Sequence, residues 1–377
     1  MKDTLTNKQI AFIVFGATAG YAIISLPKSI GETAGTGGWI FIVIGICTMI
    51  ISSYVIVYLG HSFPNKTIFE YMPLLTGKII SSLIIIIIII YEIIAYSFII
   101  RLTSETIKLT MLIQTPVWAL AVLIGSVAFY TLTKSLITLG RIAEIFGLIV
   151  IIWAIAITIT IFTQGNLTNI KPIFEFRDID YIEGLSVAAF SMVGIDLITV
   201  IPINKANKKL FRHVLIILLI VCLIYVLIIE SCISIMGIEN IVHYDETLYA
   251  TVRRIELADL QFLKRLDSVF IIVWLMAVYC SILYEAYIAT TLFSKLVKGK
   301  KNNILLLTLF LSLIVCLAPP SIEITKNILR YASYVGVFIN VILPFILLIL
   351  LIIKKHRKKI STEISKKYYK GCHINET

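Results

Sequence analysis

Seven consecutive isoleucines, Ile84–Ile90, sit inside a run, Ser81–Ile100, that carries a single charged residue, Glu92. A helix of about 20 such residues crosses the hydrocarbon core of a bilayer. In that medium each backbone N–H and C=O must find a partner within the protein, which leaves helices and closed barrels as the spanning structures. Similar runs recur along the chain, too long for barrel strands. With 59% hydrophobic and 15% charged residues, the sequence predicts an all-α integral membrane protein. Ten spans are expected, at about 9–30, 38–59, 79–101, 117–136, 142–162, 181–203, 211–236, 269–294, 304–318 and 328–353. Residues 1–355 then form one transmembrane bundle and 356–377 a basic tail. The longest polar stretch, 237–266, is too short to build a core of its own.

Charge supports an even number of spans. If both termini are cytosolic, 22 of the 33 Lys and Arg residues fall on the cytosolic side, including Lys354–Lys359 of the tail. The net charge of +11 is thereby explained by short loops and a juxtamembrane tail suited to a lipid surface, with no call for nucleic acid. No cleavable signal peptide precedes the first span.

Two spans carry a matching interruption. In GATAGYAIISLPKSIG (Gly16–Gly31) and AAFSMVGIDLITVIPIN (Ala188–Asn204), a break at Gly20 or Gly194 is followed by apolar residues and then Pro27 or Pro202. Gly and Pro weaken the helical ladder, and freed backbone groups in a membrane survive where protein or a wet cavity satisfies them. The breaks lie 174 positions apart, near half the length, and five spans per half is odd. The halves, 9–163 and 181–353, therefore read as inverted repeats whose discontinuous first and sixth helices converge on one ligand site. Free N–H groups at one half-helix end suit a carboxylate, and free C=O groups at the other suit an ammonium, so a zwitterionic amino acid meets both. The bland alternative is that these residues allow kinks or tight packing.

Charged groups inside spans are costly and need a partner or a cavity. Asp196, two residues after Gly194, reads either as a receiver of a cationic group or as the N-cap of the second half-helix. Glu230 and Glu285 read as interhelical hydrogen-bonding acids or as proton or ion couplers, and Glu144 as an interfacial charge beside Arg141. Glu92 requires water or a cation if charged, whereas a neutral acid needs only a carbonyl to donate to. Tyr91 and Tyr96 share its span. Cys280, Ser281 and Tyr284 form a small, weakly polar helical face, equally suited to a pocket wall or to packing. The six cysteines are scattered without a CxxC pair, no metal-ligand spacing occurs, and no HExxH, GxSxG or phosphate-loop motif is present. The expectation is a non-enzyme with no cofactor and no metal.

Several ordered motifs carry a family resemblance. They are GYAIISLPKSI (Gly20–Ile30), FEYMP (Phe69–Pro73), Arg101 with Glu105 and then Thr115-Pro116, FSMVGIDLITVIP (Phe190–Pro202), KRLDSVFIIVW (Lys264–Trp274) and YVGVFINVILPFILLIL (Tyr334–Leu350). Together they resemble the spore germination permeases, the B subunits of nutrient germinant receptors, within the amino acid/polyamine/organocation transporter superfamily. The resemblance implies a LeuT-like five-plus-five fold, location in the spore inner membrane, and a small nutrient, typically an amino acid, bound centrally. It also implies an A-type membrane subunit and a C-type lipoprotein as partners. Carried onto this chain, the pocket draws on Gly16, Thr18 and Gly20, on Ser191, Val193, Gly194 and Asp196, and on Cys280, Ser281 and Tyr284. Pro27, Pro202, Arg101 and Glu105 take structural roles. The same architecture also serves ion-coupled amino-acid transporters, the alternative function.

Overall fold

The computed structural model describes residues 5–173, 184, 194–204, 207–255, 266–297 and 299–356. Among these, six helices are long and apolar enough to cross a membrane: α3 (Trp39–Ser62), α5 (Lys78–Thr110), α7 (Leu136–Gln164), α9 (Leu210–Met236), α11 (Leu266–Leu296) and α13 (Ile322–His356). A bent pair, α1 (Asn7–Thr18) and α2 (Ala22–Ala34), makes a seventh span, and the shorter apolar helices α6 (Val117–Leu132) and α12 (Lys301–Leu317) stand where the fourth and ninth spans were expected. The first part of the expected sixth span, including Ser191 and Val193, lies outside the described residues, as do the tail beyond His356 and Lys264 and Arg265.

Local chemistry sets the ends of these elements. Thr6 and Gln9 form a reciprocal capping box that satisfies two otherwise free N–H groups at the start of α1. A second box, Thr67 with Glu70, starts α4 (Ile68–Thr76), the helix of the FEYMP motif. Glu70 also pairs with Lys295 of α11 at 3.5 Å. The backbone hydrogen bond from Thr67, with Lys295 beside it, holds this carboxyl below its ordinary range against the opposing effect of burial. From α4, α5 runs 33 residues, about 50 Å at 1.5 Å per residue, to the far end of the bundle. There Thr106 donates to Glu246 at 3.2 Å. Arg101 and Glu105 form an i,i+4 ion pair of 3.0 Å on the same helix, and Glu144 pairs with Lys8 at 3.6 Å.

At the centre, α1 is wrapped by α7, α9 and α11, while α5 packs chiefly on α11. The outer faces remain apolar, as at Ile86, Ile90, Ile152 and Leu223. In water that would be an aggregation surface; here it is the face a lipid tail solvates.

The two interruptions differ from expectation in one respect. α1 ends at Ala19, whose N–H reaches Phe15 O at 2.8 Å, and the chain resumes as α2 after a 53° bend. Pro27 lies inside α2 without ending it. The sixth span, expected to stay helical to Ile203, instead makes a single turn, α8 (Leu197–Val200), and then extends through Ile201 and Pro202. Proline crowds the residue before it out of helical geometry, and Ile201 accordingly adopts φ −88°, ψ 125°. The extended strand is tied down by Asn65 N–H donating to Ile203 O at 2.8 Å.

Candidate functional site

The two breaks touch. Gly194 has φ +133°, a backbone conformation that side chains bearing a Cβ rarely adopt, and a Cβ built on it would stand 2.6 Å from Ala17 Cβ and 3.0 Å from Ala17 C. Asp196 follows at the start of α8, where its Oδ1 accepts from Leu197 N–H at 3.0 Å. Its own N–H donates to Asn340 Oδ1 at 3.0 Å, and Asn340 Nδ2 reaches Asp196 Oδ2 at 3.4 Å and Gly336 O at 3.1 Å. Asn340 is fully buried in a π-helical turn of α13, Phe338–Ile342, and its backbone carbonyl accepts the Ser52 hydroxyl. Wide turns of this kind release backbone groups for other partners. Asn340 thus clamps the second break, and sequence reasoning missed it; the signal was an amide inside the apolar run YVGVFINVILPF.

The freed carbonyls of the first break are taken by side chains. Ser281 Oγ donates to Gly16 O at 2.7 Å and reaches Ala17 O at 3.2 Å, while Tyr225 OH donates to Thr18 O at 2.7 Å. The absence of a Cβ at Gly20 makes room for Ser281, whose Cβ would be 2.7 Å from one. Tyr225, on α9, is a second residue the sequence did not single out.

A small cavity of about 40 Å³ lies beside the first break, lined by Thr18, Gly20, Tyr21, Tyr91, Ser281 and Glu285 among others. It has room for about three waters. Through Tyr21, Ala22, Leu329 and Ser333 it adjoins a vestibule of about 550 Å³. The vestibule wall holds a charge network: Asp245 receives Lys28 of α2 at 2.7 Å and Lys326 of α13 at 2.9 Å. Burial would raise the Asp245 carboxyl, but the hydrogen bonds and charges of the two lysines outweigh it and hold it below its ordinary value.

Of the predicted pocket residues, the structure brings Thr18, Gly20 and Ser281 to the cavity and Gly194 and Asp196 into contact with its rim. Gly16, Cys280 and Tyr284 pack against one another behind it, Tyr284 donating to Leu139 O at 3.2 Å. Tyr96 is corrected: its hydroxyl donates to Thr308 O at 2.7 Å, and it lines a separate void of about 20 Å³ between α5, α6 and α12. Glu285 lines the central cavity; Glu92, near the middle of α5, faces Asp196 and Glu285. Glu230 on α9 joins neither cavity, and its carboxylate oxygens have no hydrogen-bond partner. Among the described residues, no three His, Cys, Asp or Glu side chains are placed to hold a metal ion.

Comparison with known proteins agrees with this geometry. The family model described as "Spore germination protein" matches residues 4–325. Spore germination protein YndE of Bacillus subtilis (strain 168) is 24% identical over 360 residues, covering 94% of this chain and 97% of that protein. Spore germination protein A2 of the same organism is 22% identical, covering 91% and 94%. Spore germination protein GerLB of Bacillus cereus is 22% identical, covering 94% and 96%. Among solved structures, MhsT in complex with L-phenylalanine superposes with a TM-score of 0.70 at 13% identity, covering 92% of this chain and 89% of that one. The fold is therefore that of a LeuT-type transporter.

Proposed function

This chain belongs to the spore germination protein family, and on that premise we propose that it is the nutrient-binding membrane subunit of a spore germination receptor. The ligand, an amino acid or close relative, enters through the vestibule and occupies the cavity beside the first break. The observation that carries this reading is the contact of the two breaks at the edge of a cavity that adjoins a wide vestibule. The solved neighbour's bound L-phenylalanine supports the ligand class.

The cavity, with room for about three waters, is smaller than an amino acid, so binding requires its walls to part. Any ligand that prefers the widened state shifts the equilibrium toward it, in proportion to its difference in affinity for the two states. Because Gly194 abuts Ala17 and Thr18, displacement at the first break carries the second with it. That movement is the signal passed to an A-type membrane subunit and a C-type lipoprotein in the spore inner membrane, with both termini of this chain cytosolic.

Ala22, shared by cavity and vestibule, offers the test. Ala22→Trp fills the throat between them. The variant is expected to insert and assemble normally yet lose both ligand-dependent thermal stabilisation in detergent and the spore's nutrient response. A fully responsive spore overturns the pocket assignment. A second reading, ion-coupled amino-acid transport, is favoured by the three carboxyls of Glu92, Asp196 and Glu285. Uptake by the purified chain in proteoliposomes that collapses with the ion gradient would establish it, and binding without flux counts against it.

A further inference from the structure

Glu92, Asp196 and Glu285 come from three separate elements, α5, the second break and α11, yet they face one another in the middle of the bundle. They are 1%, 3% and 6% exposed. Asp196 is satisfied by Leu197 and Asn340. The other two are not: both oxygens of Glu92 and Oε2 of Glu285 are buried with no hydrogen-bond donor, and Glu285 lines the cavity. No lysine, arginine or histidine lines that cavity, and none forms an ion pair with any of the three among the described residues.

Three carboxyls in a low-dielectric site carry charge only with a counter-charge beside them. A neutral zwitterion adds no net positive charge and brings a further carboxylate. The carbonyls at the end of α1, which would otherwise receive an ammonium, are already occupied at Gly16, Ala17 and Thr18 by the hydroxyls of Ser281 and Tyr225. The three acids are also not placed to share a metal ion. What remains is a cation with several N–H donors and some length.

Resting on the reading of this cavity as the ligand pocket, we propose that the ligand is a net-positive organic amine, a basic amino acid or a diamine. Its distal ammonium is received by Glu285, with Glu92 and Asp196 behind it. A charge-assisted hydrogen bond from the ammonium supplies the donor that Glu285 lacks.

The test compares L-lysine with L-norleucine, which has the same carbon chain but no distal ammonium, on the purified full chain in nanodiscs at fixed ionic strength. Affinities are read by calorimetry and thermal shift, with cadaverine, sodium chloride and potassium chloride in parallel. Lysine is expected to bind at least about tenfold more tightly than norleucine. Glu285→Gln is expected to reduce that ratio to within about threefold, and Glu92→Gln to lower it in the same direction by less. Should a variant fail to fold, the wild-type ratio alone decides. Equal binding of norleucine and lysine overturns the proposal while leaving the nutrient pocket in place. Stabilisation by sodium or potassium to which lysine adds nothing overturns it in favour of an inorganic cation. No binding by any of these compounds or by neutral amino acids removes the pocket reading itself, and this proposal with it.

Discussion

The first and second breaks bear the same mark in the sequence, a glycine followed by a proline several residues later, and the chain treats them differently. After the first, α2 continues for 13 residues with Pro27 inside it. After the second, α8 lasts four residues and Pro202 lies in extended chain. Proline's missing N–H costs a hydrogen bond in either place, but Pro27 is in the second turn of a helix braced by Asp245, whereas nothing comparable extends α8. A break motif thus specifies where a helix stops; surrounding contacts decide whether it restarts.

Gly194→Ala attacks the point where the breaks meet. Positive φ and contact with the Ala17 backbone act together, and a loss of about 3 kcal/mol or more is expected, seen as poor yield of monodisperse protein or a sharply lowered melting temperature. Asn340→Leu strips the Asp196 N–H of its partner. A cost of about 1–3 kcal/mol is expected in thermal unfolding, together with weakened ligand stabilisation; an unchanged melting temperature would show that the second break needs no clamp. Gly20→Ala displaces Ser281 from the carbonyls of α1 and should cost about 1 kcal/mol; in a double-mutant cycle with Ser281→Gly the two effects should be less than additive. Pro202→Ala is expected to change stability by under about 1 kcal/mol and to let α8 lengthen, measurable as slowed amide exchange at Ile201–Ile203. The smallest effect belongs to pH. The Asp245 carboxyl is held below its unfolded value, so the brace on α2 is fully present above that value, about 3.9, and is lost as pH falls through the lower folded one. Being half-exposed, it contributes under about 1 kcal/mol, which Asp245→Asn would remove at every pH.

Much of this was legible. Long apolar runs announced the membrane, and Gly20 and Gly194 marked both breaks, with Asp196 beside the second. The convergence of Glu92 with Glu285 was not readable, because these helices are apolar on the core side and on the lipid side alike. Polarity therefore does not disclose which way a side chain points. That also explains Tyr96, whose place on the span of Glu92 suggested the pocket while its rotation about α5 took it to α12. Asn340 and Tyr225 act across 144 and 207 residues of sequence, distances over which no local pattern operates. The early end of α8 was encoded locally, in the residue before Pro202, and was outweighed in the sequence reading by the hydrophobic run continuing to Ile203.

The single carboxylate shared by Lys28 and Lys326 has a kinetic consequence. Were each lysine held by its own acid, separating α2 from α13 would require two ion pairs to break, each exposing a bare charge. With one acid between two ammonium groups, either lysine can withdraw to water while Asp245 stays neutralised by the other. The vestibule wall then parts in two low steps in place of one high one, a relay that sets opening speed without adding to the resting strength of the closed wall.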